Sequence, residues 1–72
     1  MRVTVDVKGE DSRELELADV PTDAPEPTYA DLLREVGLSP HEVSVLVDGR
    51  PVPEDQPVES ERVTVLRLIK GG

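Results

Sequence analysis

Hydrophobic and polar residues alternate strictly at the start of the chain, where Arg2-Val3-Thr4-Val5-Asp6-Val7-Lys8 puts a valine at every second position. A period of two places Val3, Val5 and Val7 on one face and predicts a half-buried β-strand. Gly9-Glu10-Asp11-Ser12 is a turn cluster, and Arg13-Glu14-Leu15-Glu16-Leu17 resumes the alternation. The two segments therefore predict an antiparallel hairpin with a longer loop. Residues 18–27 hold Pro21, Pro25 and Pro27 and little apolar material. Such a stretch suits neither a helix interior nor a central strand, and an extended, mobile surface connection is expected.

The period then changes. Tyr29, Leu32, Leu33 and Val36 fall at i, i+3, i+4 and i+7, which predicts a helix with one stripe facing a core. Thr28 can cap its first turn, and Asp31 three residues on resembles a capping box. Gly37 suits a left-handed stop, with Leu38 making the hydrophobic contact behind it. At about two turns the helix is too short to stand without a sheet to lie on.

After the connecting turn Ser39-Pro40-His41-Glu42, Val43-Ser44-Val45-Leu46-Val47 predicts a third strand and Asp48-Gly49 a hairpin turn. Arg50-Pro51-Val52-Pro53 fits only a short edge strand, because its prolines cannot donate to a ladder. Residues 54–61 read as polar loop anchored by Val58, and Val63-Thr64-Val65-Leu66-Arg67-Leu68 as the last strand. The order is strand, strand, helix, strand, short strand, strand. It predicts an α+β fold, a mixed sheet of four to five strands packed on one helix. The first and last strands are the most apolar, so they should lie side by side, parallel, at its centre.

Composition narrows the function classes. Seventy-two residues make one small domain, read here as a body over 1–68 and a flexible tail over 69–72. With 36% hydrophobic residues and Tyr29 the single aromatic, the core must be built from Val and Leu. There is no Cys, which excludes thiol nucleophiles, disulfides and cysteine metal sites within the chain. His41 is the only histidine, so neither a His-based triad with Cys nor a multi-histidine metal site can be assembled. No nucleophile–base pair is visible, and an enzyme is not expected. The net charge of −8, from 16 acidic and 8 basic residues, argues against direct nucleic-acid binding. Six of the basic residues are Arg. That dispersed acidity reads as a surface adapted to a salty cytoplasm, or as a docking field for a basic partner. With no apolar run long enough to span a membrane and no signal-peptide pattern, a cytoplasmic monomer is expected.

The ββαββ order, the hairpin at Val47-Asp48-Gly49-Arg50 and the ending Val65-Leu66-Arg67-Leu68-Ile69-Lys70-Gly71-Gly72 resemble the ubiquitin-like β-grasp family. Within it the chain is similar to the small archaeal modifier proteins of salt-loving archaea. Ser39-Pro40-His41-Glu42 and Val45-Leu46-Val47-Asp48-Gly49-Arg50-Pro51-Val52-Pro53-Glu54-Asp55-Gln56 carry that closer resemblance. It covers the whole chain except 18–27, which looks longer than usual for the family. The resemblance implies a substrate of activation chemistry. The terminal carboxylate, at Gly72 with Gly71 as its partner, would be adenylated by an E1-like enzyme using ATP and magnesium. It would then become a thiocarboxylate that donates sulfur, as in tRNA thiolation, or an isopeptide bond to a target lysine. The implied partners are that enzyme, target proteins, a sulfur donor or sulfurtransferase, and a deconjugating metalloprotease. No cofactor would be held by the chain itself.

Such chemistry suits this ending. Four residues beyond Leu68 reach roughly 13 Å at ~3.3 Å each, and two glycines make a thin tip for a narrow channel. Strand parity adds a second expectation. If Val63 and Val65 face the core, then Leu66 and Leu68 face outward. The same parity in the third strand buries Val45 and Val47 and exposes Leu46. Leu46, Leu66 and Leu68, with Arg67 and Lys70, would form a partner-binding patch beside the tail; the opposite parity would bury the leucines instead. Lys8 and Lys70 are the only lysines, and Lys8 is a possible conjugation acceptor. Acidic pairs such as Glu10-Asp11 and Glu54-Asp55 read as solvated surface, and Tyr29 as core. Two other readings share much of this pattern: a dedicated sulfur carrier for molybdopterin or thiamine synthesis, and a β-grasp interaction module with an inert terminus.

Overall fold

The computed structural model describes residues 1–68. Readings that fall on Ile69, Lys70, Gly71 and Gly72 lie outside the described residues. Five strands, β1 (Arg2–Val7), β2 (Ser12–Glu16), β3 (Val43–Val47), β4 (Arg50–Pro51) and β5 (Arg62–Arg67), form one sheet in the order β2-β1-β5-β3-β4. β1 and β5 are parallel and every other pairing is antiparallel. The helix α1 (Tyr29–Glu35) supplies the stripe that packs on one face of this sheet. This is the mixed sheet expected from the pattern, with the last strand at the centre beside the first, and the β-grasp arrangement that the family resemblance implies.

The core follows from the two periods. Val3 and Val5 of β1, and Val63 and Val65 of β5, are buried with Leu32 and Leu33 of α1. Branched valines suit a pleated surface packed on one side, and Leu15, Leu17 and Val36 close the margins of the cluster. No polar or charged residue is buried among the described residues.

The ends of α1 account for its length. Its first N–H groups are all satisfied: Tyr29 donates to the Gln56 carbonyl at 3.1 Å, Ala30 to Glu54 at 2.8 Å, Asp31 to the Thr28 hydroxyl at 3.3 Å and Leu32 to the Thr28 carbonyl at 3.0 Å. The connection between β4 and β5 is therefore stitched to the helix start, and Val58 is buried beneath it. At the other end Leu38 N–H donates to the Leu33 carbonyl at 2.9 Å and Gly37 N–H to Arg34 at 3.0 Å. Gly37 has φ +83°, the left-handed stop that this pair of bonds requires. Asp48 and Gly49 both have positive φ, the turn that joins β3 to β4.

Residues 18–27 depart from expectation. Leu17–Asp19 forms a 3-10 turn, which delivers Val20 into the core at 5% exposure. A single apolar residue among prolines carries no period, so its burial was not legible locally. A second 3-10 turn, Pro40–Glu42, leads into β3.

Candidate functional site

Gly71 and Gly72 follow β5 in the sequence, so the site is built from that strand and its neighbours. Val63 and Val65 face α1 and are buried, while Thr64 and Leu66 are half-buried on the outer face. Ser44 lies opposite Leu66 and Leu46 opposite Thr64. Leu46 and Leu66 are therefore diagonal neighbours on one face, within reach of each other. The ladder runs one step past the strand, where Leu68 N–H donates to the Glu42 carbonyl at 2.8 Å. Leu68 is 55% exposed.

The expected patch is corrected in two respects. Leu46 is only half-exposed, and Val47, expected in the core, is half-buried at its edge. β3 ends there, and its inner face runs out over the margin of the helix. Arg67 does not join the leucines. It shares the parity of Val63 and Val65, lies opposite Val43, and emerges on the helix side of the sheet. There its guanidinium grips the Glu10 carboxylate from the β1–β2 turn, with Nε donating to Oε2 and a terminal nitrogen to Oε1 at 3.2 Å. Residues 67 and 10 are joined only by the parallel β1–β5 pairing, so no local pattern announces Glu10.

Lys8 is exposed. Its N–H donates to the Val65 carbonyl at 2.9 Å, and alternation from Asp6 puts it on the outer face beside Leu66. His41 is exposed on the 3-10 turn next to the last ladder bond. Among the described residues no group of three or more His, Asp or Glu side chains converges as a metal site. No helix among them is long and apolar enough to cross a membrane.

The perturbed acids lie away from the tail and have structural causes. Glu16 is held below the ordinary carboxylate range by the N-terminal ammonium, which donates to it at 2.9 Å. Asp31 is lowered by Thr22, which lines the same surface hollow, then by the Thr28 N–H and hydroxyl and by Arg34. Neither points to acid–base work at the chain's end.

What the site offers is thus a central strand whose outer face carries Leu46 and Leu66 among polar residues, with no reactive constellation among the described residues. The model of the family described as small archaeal modifier protein 2 matches residues 1–69. The chain belongs to the small archaeal modifier protein 2 family. Small archaeal modifier protein 2 of Haloferax volcanii is 64% identical over 72 residues, covering all of both chains. A crystal structure of the H. volcanii small archaeal modifier protein 2 matches with TM-score 0.65 and 63% identity, over 97% of each chain. An uncharacterized protein of Archaeoglobus fulgidus is 41% identical over 44 residues, 61% of this chain and 66% of its own. The family is a ubiquitin-like modifier family, and its β-grasp body is the fold described above.

Proposed function

We propose that this modifier works through its Gly72 carboxylate, which an E1-like enzyme adenylates with ATP and magnesium. The single observation that carries the reading is full-length similarity to a protein named as a modifier, together with a body whose central strand leads into Gly71-Gly72. A free carboxylate is a poor acyl donor. Adenylation supplies the leaving group, after which sulfur or an amine can attack the carbonyl carbon and release AMP. Sulfur attack gives a thiocarboxylate for sulfur transfer of the tRNA-thiolation type. Attack by a target lysine Nζ gives an isopeptide bond, which a deconjugating metalloprotease would reverse.

Leu46, Leu66 and Leu68 serve as the partner surface in this reading, with Lys70 beside the glycines. Arg67, held by Glu10 on the helix side of the sheet, stands apart from that surface. Lys8 is the candidate acceptor on the body, and the setting is cytoplasmic. ATP-dependent pyrophosphate exchange by the activating enzyme tests the first step. It should require the intact Gly72 carboxylate and vanish when Gly72 is deleted; exchange that persists without Gly72 contradicts the proposal.

A further inference from the structure

We propose that Arg67 and Glu10 form a clasp that positions the root of the tail for activation, an inference that rests on the activation chemistry proposed above. Arg67 is the last residue of β5, and among the described residues only the Leu68 N–H bond to Glu42 continues the ladder beyond it. A terminal ladder bond at a sheet end frays unless its neighbours are held. Arg67 is held at a point fixed by other means. Glu10 sits in a turn set by Gly9 at φ +80° and closed by Glu10 N–H donating to the Val7 carbonyl at 2.9 Å.

The geometry favours positioning over simple charge balance. The contact is two-pronged, and a planar guanidinium on a carboxylate fixes orientation as well as distance. It is the only two-pronged ion pair among the described residues. Arg67 and Glu10 line one hollow of about 400 Å³ together with Val7, Val36 and Leu38, so the pair sits beside apolar surface rather than in open solvent. Because Arg67 is tied down on the helix side, Leu68 and Leu66 stay together on the outer face. If the root frays, the glycine tip explores a larger volume, and the activating enzyme must capture it at an entropic cost. That cost falls mainly on KM.

The test uses full-length protein carrying Glu10→Gln, Arg67→Ala, and the charge-swapped pair Glu10→Arg with Arg67→Glu. Hydrogen exchange at the Leu68 amide reads the clasp directly, and KM and kcat for adenylation read its consequence. Each single variant should lose Leu68 protection and raise KM about two- to fivefold, as expected for an exposed two-pronged pair, with kcat nearly unchanged. The swapped pair should recover both. Unchanged Leu68 protection in the singles overturns the clasp, as does lost protection with unaltered KM. A swapped pair that restores protection but not KM assigns Arg67 to direct contact with the enzyme and also overturns it. Should the wild-type chain not be adenylated at all, the activation reading fails, and Leu68 exchange still decides whether the clasp holds the root.

Discussion

Thr28 and Asp31 cap each other. The Thr28 N–H donates to Asp31 Oδ2 at 3.0 Å, while the Asp31 N–H donates to the Thr28 hydroxyl at 3.3 Å. In a helix of seven residues this reciprocal pair satisfies the Thr28 and Asp31 N–H groups, while Tyr29 and Ala30 donate to Gln56 and Glu54. Thr28→Ala should destabilise the fold by about 1 kcal/mol, measured as a lower urea midpoint with unchanged slope. The same carboxylate makes stability pH-dependent. Its folded pKa is lowered, so the unfolded chain binds the proton more readily. The contribution is present above the unfolded value of about 3.9 and is lost as pH falls through the folded one. Asp31→Asn should flatten that part of the acid limb, and an acid limb of unaltered steepness would contradict the cap.

Gly37 tests the other end of the helix. A Cβ there would meet nothing within 4 Å, so Gly37→Ala carries backbone strain without a clash. At φ +83° the cost should be about 1 kcal/mol. Gly37→Asn should recover part of it, since Asn tolerates the left-handed region.

Leu33 and Leu66 separate core from surface. Leu33 is 1% exposed, and Leu33→Ala should remove about 2–5 kcal/mol, enough to unfold much of a domain this small. Leu66 is half-buried on the outer face, so Leu66→Ala should cost far less stability. Its effect should appear in activation by the E1-like enzyme. Thermal melts and adenylation kinetics on the same two variants check both halves.

The charge distribution predicts a salt response. Twice as many acidic as basic residues on one small body repel across solvent, and screening shortens that repulsion to a few Å in concentrated salt. The unfolding midpoint should fall as salt is withdrawn; a midpoint indifferent to salt would show that the net charge does not govern stability.

How far the sequence could be read follows from which interactions are local. Val3-Val5-Val7, the Tyr29-Leu32-Leu33-Val36 stripe, the Thr28–Asp31 cap, the Gly37 stop and the Asp48-Gly49 turn each declare themselves within a few residues. Combined with the crossover rule, they were enough to place the last strand beside the first. Val20 was missed because one apolar residue among prolines has no period. The Glu10–Arg67 contact was missed because it exists only once β1 and β5 are paired in a particular register. Parity correctly separated Val63 and Val65 from Leu66. The same alternation puts Arg67 on the core side, away from the leucines beside it in the sequence.

The central claim is that Gly72 is acted upon and the body presents it. Incubating the full-length protein with its activating enzyme, ATP and a sulfur donor, and weighing the intact product, tests this most directly. A mass gain corresponding to one sulfur replacing one oxygen is expected, located at the terminal carboxyl and absent when Gly72 is removed. An unchanged mass in the presence of active enzyme, ATP and the sulfur donor would contradict it.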